Sequence, residues 1–377
     1  MTAFMRGIAI AMIKNAIATL TGNIQIHHKG YRNDPVVENS MPDMAEIQPV
    51  LEKNLPPAAK WTSRVRVNAI ANNARHSAGV TLVGIDPVRE AGISFIGRAV
   101  KQGRYLKPED KNGIIIGKAL ADKFETKPGY KIILMSQDRS REIASRAFRI
   151  VGIFQAELEA TEKQYAFITK SAAQEMLKMG QAISEISIIL PEYKGGEDGK
   201  IVAGNLRASL SAAGYDVHTW QELLPLLAGY KEFQDQFLII WYIVIFIAMS
   251  FGIVNTMLMA IFERMKEFGL LKALGLKPWG IVRDVLAESL FLLLMGMTAG
   301  TLLALLCVWA LADKGIDFSA FAAGTEYFGM SRIVYPIILV NDVITANTVV
   351  LVLGLLVSLY PAAKAARFTP VEALTHT

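Results

Sequence analysis

The chain has 377 residues, 52% of them hydrophobic, with a mean hydropathy of +0.33 and a formal net charge of +5. This average is too apolar for an ordinary soluble protein and too mixed for a membrane bundle alone, so the apolar residues are unevenly distributed along the chain. A single cysteine, Cys307, excludes an intramolecular disulfide.

The N-terminal stretch "AFMRGIAIAMIKNAIATLTGN" is apolar for about 20 residues but carries Arg6 and Lys14, each costly at a bilayer centre. The basic residues interrupt the apolar part and no clear cleavage signal follows, which argues against an ordinary signal peptide. Residues 1–20 read either as an interfacial helix or as the outer part of a first span that begins upstream of Met1. Charge topology, below, favours the second.

Between this segment and Phe237 lies a polar region of about 210 residues, the size of one large domain or two small ones. Residues 21–220 read as mixed α+β. "RVRVNAIA" from Arg64 alternates with the period of a half-buried strand, and "VTLVGI", "GIIIG", "YKIILM", "FRIVGIF" and "SEISIIL" are further β-rich runs. Helices are expected at "KALADKFE", at "SAAQEMLKMG" with Ser171 and Gln174 as a capping box and Gly180 as the stop, and at "KIVAGNLRASLSAAG". Pro191–Lys200 reads as a flexible insertion. After the strand-like "YDVHTW", residues 221–236 are expected to form a stalk helix running into the next span, with Gln221, Glu222, Lys231 and Asp235 along it and Pro225 near its start.

Three uncharged runs follow, Phe237–Phe262, Ser289–Ala312 and Val343–Ala363, each longer than the roughly 20 residues needed to cross a bilayer. They place transmembrane helices at 237–262, 286–312 and 343–363. The segment Glu263–Glu288 carries Arg264, Lys266, Lys272, Lys277 and Arg283, and the tail 364–377 carries Lys364 and Arg367, whereas 313–342 has only Lys314 and Arg332. Positive residues mark the cytoplasmic side. The region 263–280 and the tail are therefore expected in the cytoplasm, with 313–342 and the large domain outside. A cytoplasmic N-terminus then needs an even number of spans, four in all, which makes Thr2–Leu20 the exit end of the first, with Lys14 at the outer interface and Arg6 as the misfit. The predicted fold is a membrane protein: a helical transmembrane bundle with a large mixed α+β extracytoplasmic domain.

No catalytic or metal site is predicted. His27, His28, His76, His218 and His376 are scattered, and no His-Glu-x-x-His, Gly-x-Ser-x-Gly or Cys-x-x-Cys occurs. The Arg and Lys residues between Lys60 and Arg149 are interleaved with acids and read as a solvated face, with no nucleic-acid site. "GIIIGKA", Gly113–Ala119, approaches a phosphate-binding loop but is one residue short and ends in Ala, so it reads as a strand followed by a helix. Asn255 and Thr256 are candidates for hydrogen bonds between spans.

The stretch "ERMKEFGLLKALG" interrupts this membrane-like half. Its charges cluster at one end, while Phe268, Leu270, Leu271 and Leu274 are too apolar for a free loop, so it reads as a contact surface or as a helix lying on the inner leaflet, ended by Gly275 and Pro278. Together with the order span, large outer domain, span, short helix, span, small loop, span and basic tail, this motif resembles the FtsX-like permeases of the MacB and LolC/LolE type of ABC transporter. Glu263, Arg264, Glu267, Phe268, Gly269, Leu271, Lys272, Ala273, Leu274 and Gly275 match the family's short helix. "YPAAKAARFTPVEALT" resembles its ending, and "TGNIQIHHKGY", "GIIIGKALADKF", "KPGYKIILM" and "FRIVGIF" resemble its outer domain. The family's full first span is absent from the sequence.

The resemblance implies that Glu263–Gly275, with Lys266 among them, is a coupling helix for a cytoplasmic ATPase subunit, working as a dimer that binds ATP and magnesium. This chain would bind no cofactor. It would pair with a second permease subunit, same or homologous, in the inner membrane, in contact with lipid and with a periplasmic or outer-membrane partner. The implied activity is mechanotransmission for lipoprotein release or for export of a lipid-anchored or periplasmic substrate. MacB-like efflux of peptides or antibiotics, and an FtsX-like scaffold activating a cell-wall hydrolase, are the alternatives.

Overall fold

The computed structural model describes residues 2–191, 197–318 and 333–369. Parts of three expected segments therefore lie outside the described residues: 192–196 of the insertion, 319–332 of the outer loop and 370–377 of the tail. The described chain divides into two compact units, one made of residues 10–229 and the other of 2–9, 230–317 and 333–369.

The first unit begins within α1 (Thr2–Ala16), which runs into a π turn, Ile17–Thr21. Ten strands then form one sheet: β1 (Ile24–His28), β2 (Lys60–Asn72), β3 (Ser77–Ile85), β4 (Val100–Gly103), β5 (Gly113–Gly117), β6 (Lys131–Gln137), β7 (Ile143–Phe154), β8 (Tyr165–Thr169), β9 (Glu185–Ile189) and β10 (Tyr215–Thr219). Their order is β10-β1-β9-β2-β3-β8-β5-β7-β4, with β6 joining β2 to β7. Because β6 pairs with both, the path β2-β3-β8-β5-β7-β6 closes on itself as a barrel. Between the strands lie α2 (Gln48–Asn54), α3 (Pro87–Glu90), α4 (Ile96–Ala99), α5 (Lys118–Lys123), α6 (Glu159–Gln164), α7 (Lys170–Met176), α8 (Glu197–Leu210) and α9 (Trp220–Leu223).

β2 belongs to two layers. Lys60–Arg64 pairs with β9 in the four-stranded part, and Val65–Asn72 pairs with β3 in the barrel. The alternation read in "RVRVNAIA" is the barrel wall: Val65, Val67, Ala69 and Ala71 point into the core with Leu82, Ile114, Leu134 and Phe148. The other part buries Ile24, Ile26, Ile186 and Val217 beneath Leu51 of α2 and Leu206 of α8.

Arg64, expected on a solvated face, is fully buried at the seam between these parts. Its guanidinium takes Glu90 bidentately, at 3.0 and 2.8 Å, and Glu185 at 3.0 Å, and donates to the Leu20 carbonyl at 2.5 Å. Burial alone would raise the Glu185 carboxyl, but Arg66 and Arg64 hold it below its ordinary range. The π turn thus ends on a charge cluster inside the domain. Leu20 itself is held at φ 154°, a conformation a non-glycine residue keeps only when its surroundings fix it.

Two local expectations are corrected. The N-cap of α7 is Thr169, whose hydroxyl accepts from Ala172 N–H at 3.3 Å; Gln174 instead donates to the Ala182 carbonyl, because Ser171 already lies inside the first turn. The stalk helix does not run unbroken from 221. Glu222 closes a capping box on Thr219, so Gln221 and Glu222 belong to α9, and Leu224 (φ −123°, ψ 65°) breaks the chain before Pro225, as the residue before a proline tends to.

The near-match to a phosphate loop is strand β5 followed by α5. Glu162 occupies the start of that helix, accepting from Ala119 N–H at 3.0 Å and Ala156 N–H at 2.9 Å. A Cβ on Gly117 would lie 2.2 Å from the Glu162 carbonyl, so the glycine serves the close approach of α6.

The second unit is built from α10 (Pro225–Glu263, from Tyr230 on), α11 (Met265–Ala273), α12 (Pro278–Ala312), the short strands β11 (Ile316–Asp317) and β12 (Ile333–Val334), and α13 (Val340–Arg367). Lys231 and Asp235 fall within α10. Among the described residues four helices, the N-terminal Thr2–Thr21 included, are long and apolar enough to cross a membrane. α10, α12 and α13 expose many large apolar residues, among them Ile243, Phe251, Leu302 and Leu356, as lipid-facing helices do. α12 and α13 approach closely at Gly354, where a Cβ would meet Leu293 at 2.9 Å. Polar contacts between helices are made by Thr301 with Asn347 at 3.3 Å and by Ser289 with Met257, in place of Asn255 and Thr256.

Residues 2–9 meet this bundle at the start of α13. Arg6 pairs with Asp342 at 2.7 Å, and the Ala3 carbonyl accepts from Ile337 N–H at 2.9 Å. The misfit charge is thus placed at a helix end, beside an acid.

Candidate functional site

At the opposite end of α13 the bundle carries a short helix that no span explains. α10 ends because Arg264 leaves helical geometry (φ −99°, ψ 14°), and α11 restarts one residue later. It stops in a Schellman motif: Gly275 is left-handed at φ 98°, Gly275 N–H reaches the Lys272 carbonyl at 3.0 Å, and Leu276 N–H reaches Leu271 at 3.0 Å. Pro278, expected to end this helix with Gly275, instead opens α12 as its first residue, where a proline loses no hydrogen bond. α12 therefore starts ahead of the apolar run expected from 286.

One face of α11 is fastened inward. Met265, Phe268 and Gly269 are buried, and Phe268 packs with Ile261 of α10, Ile281 and Val285 of α12, and Ala362 and Ala365 of α13. Arg264 lies over the Phe268 ring at 5.6 Å and pairs with Glu267 at 3.1 Å and with Glu288 of α12 at 2.9 Å. Lys272 donates to the carbonyls of Ala366 and Phe368, both at 2.6 Å, and so caps the end of α13. Lys364 lies over Phe262 at 5.4 Å, adding a tie between α13 and α10.

The other face is open. Glu263, Lys266, Glu267, Ala273 and Gly275 are exposed, and so are three leucines, Leu270, Leu271 and Leu274, the last at 77%. Trp279 stands beside them, 71% exposed on the first turn of α12. Exposed apolar clusters at a polar rim mark surfaces that meet a protein or a membrane, and aromatic side chains are enriched among the anchors of protein interfaces.

The structure therefore divides the predicted set. Phe268 and Gly269 are core, Arg264 and Lys272 are ties to other helices, and the remaining residues face outward. Sequence reasoning did not single out Trp279 or the tie partner Glu288; the indole directly after Pro278 was the available signal for the first. Among the described residues no group of three or more His, Cys, Asp or Glu is arranged to hold a metal ion.

The MacB-like periplasmic core domain family matches residues 1–206, and the FtsX-like permease C-terminal family matches residues 239–370. The chain is 23% identical over 328 residues to the lipoprotein-releasing system transmembrane protein LolC of Xylella fastidiosa, covering 83% of this chain and 76% of that protein. It is 35% identical over 124 residues to the pyoverdine export ATP-binding/permease protein PvdT of Pseudomonas syringae pv. tomato, covering 33% and 16%. Among solved structures, the periplasmic region of MacB from Actinobacillus actinomycetemcomitans aligns with 58% of this chain and 97% of its own, at 15% identity and a TM-score of 0.38.

Proposed function

This chain belongs to the family of ABC transporter permeases that join a MacB-like periplasmic core domain to an FtsX-like permease C-terminal domain, and on that premise we propose that it is a mechanotransmission subunit driven by a separate ATPase chain. The observation that carries the reading is α11: one face is locked to α10, α12 and α13, and the other offers Leu270, Leu271, Leu274 and Trp279 to a partner. A force applied to the open face reaches all three long helices, since each is tied to α11 or its flanks. The positive residues around α11 support a cytoplasmic place for this end, and the family's periplasmic domain supports a periplasmic 10–229 unit.

ATP and magnesium then belong to the ATPase dimer, and a second permease subunit completes the bundle. Lipoprotein release, or export of another lipid-anchored or periplasmic substrate, is the favoured activity. Its support is the match to a lipoprotein-releasing protein along most of both chains. Efflux of small peptides or antibiotics is the second reading, supported by the 35% identity to an export protein over 124 residues.

The test is co-purification with an ABC ATPase subunit co-expressed with this chain. Leu274→Asp, which places a charge on the open face, is expected to abolish capture while membrane insertion is unchanged. Undiminished capture overturns the coupling role. Accumulation of outer-membrane lipoproteins in the inner membrane on depletion supports release, and its absence supports efflux.

A further inference from the structure

Within the 10–229 unit lies a cavity of about 400 Å³, in the range of small-molecule sites. Its walls come from the end of the π turn (Thr19–Thr21), from Gln25 and His27 of β1, Arg66–Asn68 of β2, Tyr165 of β8 and the elbow Leu223–Leu224. Nothing in the coupling role uses it.

Two guanidinium groups face this space. Arg66 is a third exposed, and its contacts with Glu185 and the Tyr165 hydroxyl are both 3.5 Å, at the limit of hydrogen bonding. With five N–H donors in a planar fork, Arg66 keeps most of its capacity unspent. Arg32 donates to the Glu222 carbonyl at 2.7 Å and makes no ion pair among the described residues. Glu185 is the one carboxylate in the wall, and it is already shared between Arg64 and Arg66. The remaining polar groups carry no opposing charge. Burial lowers the His27 pKa, against the pull of Glu185, so the ring is neutral, and burial raises the Tyr31 hydroxyl. Leu20, Leu223 and Leu224 supply an apolar side.

We infer that this cavity is a binding site for a compact organic anion bearing carboxylate or phosphate groups, gripped by the Arg66 fork with Arg32 at the rim. The occupant touches the end of the π turn and the elbow before Pro225 at once, and so fixes the two segments against each other.

The full-length chain in nanodiscs of zwitterionic lipid is titrated calorimetrically with inorganic phosphate, with citrate and, as a neutral control, with glycerol, at constant ionic strength. At least one anion is expected to bind and glycerol is not. Arg66→Gln is expected to weaken the anion by about ten- to a hundredfold, the loss of a charge-assisted contact, and Arg66→Lys to recover part of it. Arg32→Gln, which leaves the Glu185 contacts intact, is the second variant and is expected to weaken binding by a smaller factor. A circular-dichroism melt confirms that each variant is folded. Repeating the titration in nanodiscs with phosphatidylglycerol separates the sources: lost binding of the soluble anion assigns the site to a lipid headgroup, and retained binding assigns it to a soluble ligand. Equal affinity in folded Arg66→Gln and the unsubstituted chain, or no binding of either anion in zwitterionic nanodiscs, overturns the proposal.

Discussion

Arg64 lies where two layers of the sheet meet and holds two buried carboxylates and a main-chain carbonyl. Removing one partner of such a cluster costs more than the cluster contributes, because the charges left behind remain out of water. Arg64→Met is expected to destabilise the 10–229 unit by about 3–5 kcal/mol, read as a lower urea midpoint. Several groups contribute to the acid response, His27 and Glu185 among them. His27 has a native pKa lowered from 6.5 by burial, so the unfolded chain takes up the proton first. Its contribution is complete above pH 6.5 and is lost as pH falls toward the lowered native value. Glu185, held below 4.5 by Arg66 and Arg64 against the effect of burial, adds a second loss at still lower pH. Urea midpoints are therefore expected to fall on acidification, and His27→Gln to reduce the loss nearest pH 6.5, which His218, its pKa also lowered by burial, shares. A His27→Gln variant whose midpoints follow those of the unsubstituted chain at every pH overturns the contribution of His27.

α11 is an element whose sequence shows its position better than its faces. Charge clustering, Gly275 and the flanking apolar runs mark it, and Gly275 acts where expected, as the left-handed end of a helix. Which residues face inward depends on three helices distant in sequence, so Lys272 reads locally as a surface charge although it caps α13. Lys272→Met is expected to speed amide exchange in the last turn of α13 by about tenfold or more while ATPase capture is retained; unchanged exchange shows that the cap carries no weight. The same limit explains other elements. Val65, Val67, Ala69 and Ala71 are legible because a strand repeats every two residues. Arg64 is not, because its acids arrive from α3 and β9. Thr169 displaced Ser171 as a cap because both have the right chemistry and only the backbone decides between them. In the bundle, Gly354→Leu forces a side chain against Leu293, and overpacking of this kind costs about 1–3 kcal/mol. A lowered melting temperature in nanodiscs, restored by adding Leu293→Ala, is the expected pattern; a melt unchanged by Gly354→Leu rejects the close approach.

For the whole molecule, the sidedness read from charge is open to a direct check. In a Cys307→Ser background, a cysteine in place of exposed Arg75 is expected to react in intact spheroplasts with a membrane-impermeant maleimide. One in place of exposed Lys266 is expected to react only after lysis. The reverse pattern inverts the topology and with it the place of the ATPase. The 10–229 unit has a further property that follows from β2. Its 13 residues are one continuous strand that serves the barrel along one stretch and the four-stranded layer along the other. Neither part can come away without tearing ladder hydrogen bonds from a strand that the other still needs. Such a body has no internal hinge to absorb a pull: it is expected to melt in one transition, and to pass on a displacement delivered at one edge to the other with little lost in between.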